Sequence, residues 1–217
     1  MSGTSPGVKT CHGNDLRGGV SGTSCYQCHN FQTCNTCHGY KSEAVFEDLR
    51  SESDSNTLTV GAHTSHLQAS HSLRDPLDCN DCHVVPDSLF SASHMDGDGQ
   101  AEVTFGWLAT DSGKVTPQWD RSQATCTQTW CHGNFSFAKA NSSNDWAYAE
   151  DTIRGNNKTV VWTATDKATC GTCHTLPPTG HNQGFTSCSS CHDTVVASGD
   201  STIVGLDKHI NGGKNYP

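Results

Sequence analysis

Six times along this 217-residue chain a pair of cysteines ends on a histidine. Five of these segments read Cys-x-x-Cys-His: Cys25-Tyr-Gln-Cys28-His29, Cys34-Asn-Thr-Cys37-His38, Cys79-Asn-Asp-Cys82-His83, Cys170-Gly-Thr-Cys173-His174 and Cys188-Ser-Ser-Cys191-His192. The sixth is stretched: Cys126-Thr-Gln-Thr-Trp-Cys131-His132. The second cysteine of every pair carries the histidine, and the first never does. A fold for this chain must therefore bring two thiols and one imidazole to one place, six times over, with short stretches between.

Composition narrows how that is done. Apolar residues, cysteine included, make up 33%. Adding glycine raises the share only to about 43%, below the roughly 45–50% usual for a globular domain. A chain of this length should build a sizeable core. Either it is largely disordered, or something other than side chains fills its interior. Thirteen cysteines cannot all pair within one chain, and disulfide scaffolds this dense are usually much shorter.

Other classes fall away on the totals. No run approaches the ~18–20 apolar residues of a membrane span. Residues Met1 to Thr10 are polar and lack the apolar stretch of a leader peptide. The formal net charge is −9, with Lys and Arg scattered singly, so there is no basic stripe for nucleic acid. The acidic balance favours solubility and cationic partners.

The asymmetry of the pairs has a chemical explanation. Two thiols add across the two vinyl groups of one haem and become thioethers, and the histidine beside the second thiol is held under the iron as an axial ligand. The predicted attachment residues are Cys25 and Cys28, Cys34 and Cys37, Cys79 and Cys82, Cys126 and Cys131, Cys170 and Cys173, and Cys188 and Cys191. The predicted proximal ligands are His29, His38, His83, His132, His174 and His192. Zinc also uses Cys-x-x-Cys pairs, but it does not require histidine directly after every second cysteine. A thioredoxin-like redox pair would be a single motif in an α/β pattern, which is absent.

The remaining histidines fit the same chemistry. Beyond the motif histidines and His12 stand His63, His66, His71, His94, His181 and His209. Six intact motifs need six distal ligands if every iron is bis-histidine, so these six are the predicted distal set, with their pairing open. Met95, beside His94, is the lesser candidate. Cys11-His12 is the anomaly, because Val8 stands where a partner cysteine belongs. A seventh haem on a single thioether is favoured there. A vestigial site, or His12 serving another iron, is the alternative. A seventh haem would lack a distal histidine of its own and would be the one open iron.

Gly, Ser, Thr, Asn and Asp dominate between the motifs, and secondary-structure signals are weak. The expected fold is mostly irregular coil with short helices and few short strands, a multihaem cytochrome c wrapped around a stacked haem array. Residues 1–45 form an N-terminal haem segment with two CxxCH motifs and the lone Cys-His, and residues 46–217 form the CxxxxCH…CxxCH region. Only four residues separate His29 from Cys34, so these two sites are near neighbours by covalent necessity. Residues 41–56 read as a linker or surface helix. Thr57 to Val60 and Thr159 to Thr163 are strand candidates, and Ser65 to Ser72 is a helical one. Asp96-Gly-Asp-Gly99 reads as a turn rather than a calcium loop.

From about residue 60 to 213 the chain resembles the Geobacter-type CxxxxCH…CxxCH multihaem cytochromes. The resemblance rests on Gly61-Ala-His63 with His66-Leu67, Cys79-x-x-Cys82-His83-Val-Val-Pro86, and His94-Met-Asp-Gly97. It continues through Cys126-x4-Cys131-His132-Gly133, Cys170-x-x-Cys173-His174 with Pro177-Pro178 and His181, Cys188-x-x-Cys191-His192, and His209-Ile-Asn-Gly212. The first forty residues resemble a related haem segment in which position 8 would be cysteine. The resemblance implies an exported, low-potential electron carrier in bacteria that respire extracellular acceptors. It also implies a leader already removed, or a truncated start.

The expected function is electron transfer along bis-histidine haems rather than enzymatic turnover, in the periplasm, at the outer surface or outside the cell. Expected partners are other redox proteins or an extracellular metal oxide or electrode surface. One alternative is a subunit that self-associates into a conductive filament. Another is a multihaem reductase with an open haem near His12, which would need acid–base groups beside the iron.

Overall fold

A computed structural model describes residues 13, 15–28, 34, 37, 38, 46–68, 73–92, 94, 98–164, 168–199 and 202–213. Cys11, His12, His29, His71 and Met95 lie outside the described residues. The described chain is mostly irregular. It contains one short α-helix, α1 (His63–Leu67), several single turns of 3-10 helix, and five strands of two or three residues. Among the described residues no helix is long and apolar enough to cross a membrane.

The strands fall between residues 118 and 161. β1 (Gln118–Asp120) and β2 (Thr125–Thr127) form an antiparallel hairpin, with Trp119 opposite Cys126. Asp120 closes its turn: Oδ1 accepts from the Ser122 N–H at 2.8 Å, the Ser122 hydroxyl at 2.7 Å and the Gln123 N–H at 3.2 Å. β5 (Val160–Val161) lies on the other side of β2, pairing Val160 with Cys126. A second hairpin pairs β3 (Ser136–Ala138) with β4 (Thr152–Arg154). Single bridges then attach the loop near Pro178, joining Arg154 to Thr179 and Tyr148 to His181.

Three sequence expectations change. Thr57 to Val60 is a run of turns rather than a strand. The Asp54 carbonyl accepts from both the Thr57 N–H and its hydroxyl, and the Gly61 N–H donates back to the Thr57 carbonyl at 2.8 Å. These local bonds compete with strand pairing. They lead directly into α1, which begins at His63, earlier than the predicted Ser65, while residues 69–72 lie outside the described set. The strand expected over residues 159–163 shortens to β5: the Trp162 N–H still meets the Ala124 carbonyl at 2.7 Å in register with β2, but the Ala164 N–H folds back to the Val161 carbonyl at 3.1 Å and turns the chain away. The described part of the polar stretch, residues 46–56, is irregular and not a helix. Of the Asp96–Gly99 segment only Asp98 and Gly99 are described. There Asp98 Oδ1 accepts from the Gln100 N–H and Gly99 has φ +71°, as a turn requires.

The apolar interior is small. Leu77, Leu108 and Trp130 form a buried cluster, with Val115, Cys131, Phe135, Phe137 and Ile210 packed on it. Large apolar side chains such as Val84, Trp107, Trp146 and Leu176 lie exposed. One side of the buried cluster is thus a motif cysteine, and apolar material that could enlarge it is left on the surface, near the other motifs.

Candidate metal centres

The short spacing of a Cys-x-x-Cys-His segment suits one tight turn, and four of them make the same one. The N–H groups of Cys28, Cys37, Cys82 and Cys191 donate to the carbonyls of Cys25, Cys34, Cys79 and Cys188 at 3.2–3.3 Å. In the last three segments the histidine N–H donates to the same carbonyl, at 3.0 Å for His38, 2.9 Å for His83 and 2.8 Å for His192. Both thiols and the ring thus leave a single turn of backbone. The segment at 170–174 is built differently. Its turn closes from the Thr172 N–H to the Thr169 carbonyl, and the Asn156 N–H holds the Cys173 carbonyl at 2.8 Å.

The stretched motif has its own cause. Cys126 sits in the middle of the three-stranded sheet, on β2, and not at the start of a turn. The chain must leave the strand before it can present Cys131. Gln128 takes a left-handed conformation (φ +57°), Thr129 and Trp130 are buried, and a single 3-10 turn, Trp130–His132, delivers Cys131 and His132. Gly133 follows at φ +95°, where a side chain would run into the Cys173 carbonyl, so this motif lies directly against the next.

None of the twelve described cysteines is paired in a disulfide. Burial pushes the Cys82 pKa up to about 12 and those of Cys126 and Cys131 up to about 11. Cys131 and Cys126 add to the rise at Cys82, and Cys173 adds to that at Cys131. The motifs at 79–83, 126–132 and 170–174 therefore neighbour one another in chain order.

The histidines share a second regularity. Nδ1 meets a backbone carbonyl in seven of them: His63 with Val60 (2.7 Å), His66 with Ala62 (2.8 Å), His83 with Glu102 (2.6 Å), His94 with Leu89 (3.0 Å), His174 with Thr175 (2.8 Å), His181 with Asn182 (2.9 Å) and His209 with Leu73 (2.7 Å). A carbonyl only accepts, so Nδ1 must carry the proton. In the neutral ring Nε2 is then the nitrogen with the free lone pair. His132 Nδ1 is bonded instead to the Thr129 hydroxyl at 2.8 Å. Fixing one ring nitrogen so that the other can ligate is how proteins orient metal-bound imidazoles.

These rings come in pairs, each joining a motif histidine to a histidine outside the motifs. His38 and His94 have ring centroids 6.0 Å apart, His83 and His63 6.3 Å, and His132 and His66 6.1 Å. Two imidazoles on opposite sides of one metal ion sit with centroids ~6.2 Å apart, given a metal–nitrogen bond of ~2.0 Å and ~1.1 Å from nitrogen to ring centre. His209 and His174 are a fourth neighbouring couple. Burial depresses the His209 pKa most, its bond to Leu73 opposes that, and His174 adds to the fall. Burial also holds His63 and His132 neutral, with pKa values of about 4, as a ligating ring must be. Among the described residues no three His, Cys, Asp or Glu side chains gather into a set able to hold a metal ion by themselves.

His192 and His181 complete the described histidines. His181 faces an open groove of about 390 Å³ lined by Glu150, Leu176, Pro177 and Gly180. Two buried indole N–H groups, Trp119 Nε1 and Trp130 Nε1, meet no acceptor among the described residues. A buried donor left unpaired costs about 1–3 kcal/mol, so both suit a bound group that carries acceptor oxygens. Phe46 and Thr129, which touch the paired rings, carry no sequence signal beyond Thr129's place inside the stretched motif. Trp162, which touches them too, lies in the strand candidate over residues 159–163. No family model, no curated protein and no solved structure matches the chain.

Proposed function

We propose that the protein is a multihaem c-type cytochrome that passes electrons along a series of bis-histidine haems in periplasmic or extracellular electron transfer. The observation that carries this reading is the pairing of rings. Three motif histidines each stand 6.0–6.3 Å from a histidine outside the motifs, at the spacing one shared metal ion requires. The haem c groups, when bound, supply one-electron iron chemistry.

The chain's own residues attach, orient and enclose. The cysteine pairs provide twelve thiols for thioether bonds. Carbonyls of Val60, Ala62, Glu102, Leu89, Thr175 and Leu73 hold the rings with Nε2 free. The couples also follow one another. His38 is depressed by partial burial first and then by the nearby His94 and His83, which sets the first couple beside the second. His63 and His66 share α1, which sets the second beside the third. Gly133 lies against Cys173, which sets the third beside the fourth. Such an order suits stepwise transfer toward another redox protein or an external metal oxide.

The test is an intact mass of the protein matured in a host that attaches haem c. Six or seven haems are expected. The bare polypeptide mass would overturn the proposal.

A further inference from the structure

Trp162 touches the ring of both histidines on α1. It leaves β5 with its backbone N–H on the Ala124 carbonyl, and its Nε1 donates to the Leu58 carbonyl at 2.9 Å. These two bonds fix the indole over Gly61, where φ is +46° and any side chain would collide with it. From there it stands edge-on to His63, with centroids 4.8 Å apart and planes at 88°, and nearly parallel to His66, at 5.8 Å and 30°. Phe46 covers the other side of His63 at 4.2 Å and 26°. Trp119 braces the indole from behind at 6.5 Å.

The Nδ1 bonds choose which nitrogen each ring offers and restrain its plane at one point. Contact with Trp162 adds a second restraint on the plane of each ring. The outcome differs for the two rings. His63 lies 26° from the plane of His83, whereas His66 lies 68° from that of His132.

We propose that Trp162 is a positioning residue for two iron ligands, holding the His63/His83 planes close to parallel and the His66/His132 planes steeply crossed, so that neighbouring haems carry different electronic signatures. This rests on the bis-histidine reading above. In low-spin ferric haem, near-parallel imidazole planes give a rhombic paramagnetic resonance spectrum. Crossed planes give a highly anisotropic one, because the ring planes set the splitting of the iron d orbitals. A residue that only stabilised the fold would not select between the two.

The experiment is low-temperature electron paramagnetic resonance of the oxidised holoprotein, with intact mass recorded on each sample. The native protein is expected to show a highly anisotropic signal beside rhombic ones, and His66→Ala to diminish it by one haem's worth of intensity. Trp162→Ala is expected to shift it at an unchanged haem count. Trp162→Phe keeps a ring but loses the Leu58 bond, and is expected to shift it part of the way. If the alanine variant loads fewer haems, the phenylalanine variant decides. A fully loaded native protein lacking the signal overturns the proposal, as does a fully loaded Trp162→Phe protein whose spectrum superimposes on the native one. A mass without haem overturns the cytochrome reading instead.

Discussion

His63 and His66 stand one turn apart on α1, yet each is partnered with a different motif: His63 lies 6.3 Å from His83 and His66 lies 6.1 Å from His132. Residues three apart on a helix are surface neighbours. One short helical turn therefore serves two centres and sets them side by side, and four residues of sequence fix what would otherwise need two independent loops.

On the proposed bis-histidine reading, removing one of these rings would open one iron. The reduced His66→Ala protein is expected to bind one more equivalent of carbon monoxide per chain than the native protein, read by optical titration. Equal uptake by the two proteins excludes His66 as an iron ligand.

Thr129 is buried and its hydroxyl is bonded to His132 Nδ1. Thr129→Val keeps the shape and removes the hydroxyl, leaving the buried ring nitrogen without that partner. The expected loss is about 1–3 kcal/mol in urea unfolding of the holoprotein. An unchanged unfolding midpoint would show that His132 does not depend on this bond.

Asp120 closes the β1–β2 turn, and its carboxyl is held below the ordinary 3.8, first by the Ser122 hydroxyl and then by the Gln123 N–H. A lowered folded-state pKa means the carboxylate stabilises the fold above 3.8 and stops doing so as pH falls through the folded value. The melting temperature of Asp120→Ala should therefore lie below that of the native protein at neutral pH, with the gap closing below pH 3.8. A gap independent of pH would contradict this role.

Leu108 is 2% exposed at the centre of the small core. Leu108→Ala is expected to lower stability by about 2–5 kcal/mol, as large-to-small changes at packed sites do. Leu49, which is exposed, serves as the control, and its change to alanine should stay within ~0.5 kcal/mol. Equal effects at the two positions would mean that the buried cluster is not what holds the described fold.

Much of the candidate site is legible from sequence because its chemistry is local. In four of the six motifs the cysteine pair occupies a single tight turn, so its association is covalent before it is structural. The tight turns at Cys34, Cys79 and Cys188 follow from that spacing. The poverty of apolar side chains likewise predicts irregular backbone and a small core. Short strands are less legible. Thr57 to Val60 has strand-like residues, but Asp54, Thr57 and Gly61 bond locally and turn the chain toward α1.

The sequence by itself determined that six cysteine pairs each carry a histidine directly after the second cysteine, and that six more histidines stand free of these motifs and of Cys11-His12. Only the tertiary structure decided which ring faces which: His94 with His38, His63 with His83, His66 with His132, and His209 beside His174. It also brought in Trp162, whose contact with α1 runs through a bond to Leu58, 104 positions away along the chain. The physical reason is range. Bond lengths and turns constrain atoms a few residues apart. Partners from distant loops are chosen by non-local backbone bonds such as Leu77 N–H to the His66 carbonyl at 2.8 Å and Trp130 N–H to the Ala109 carbonyl at 2.9 Å, which no residue spacing encodes.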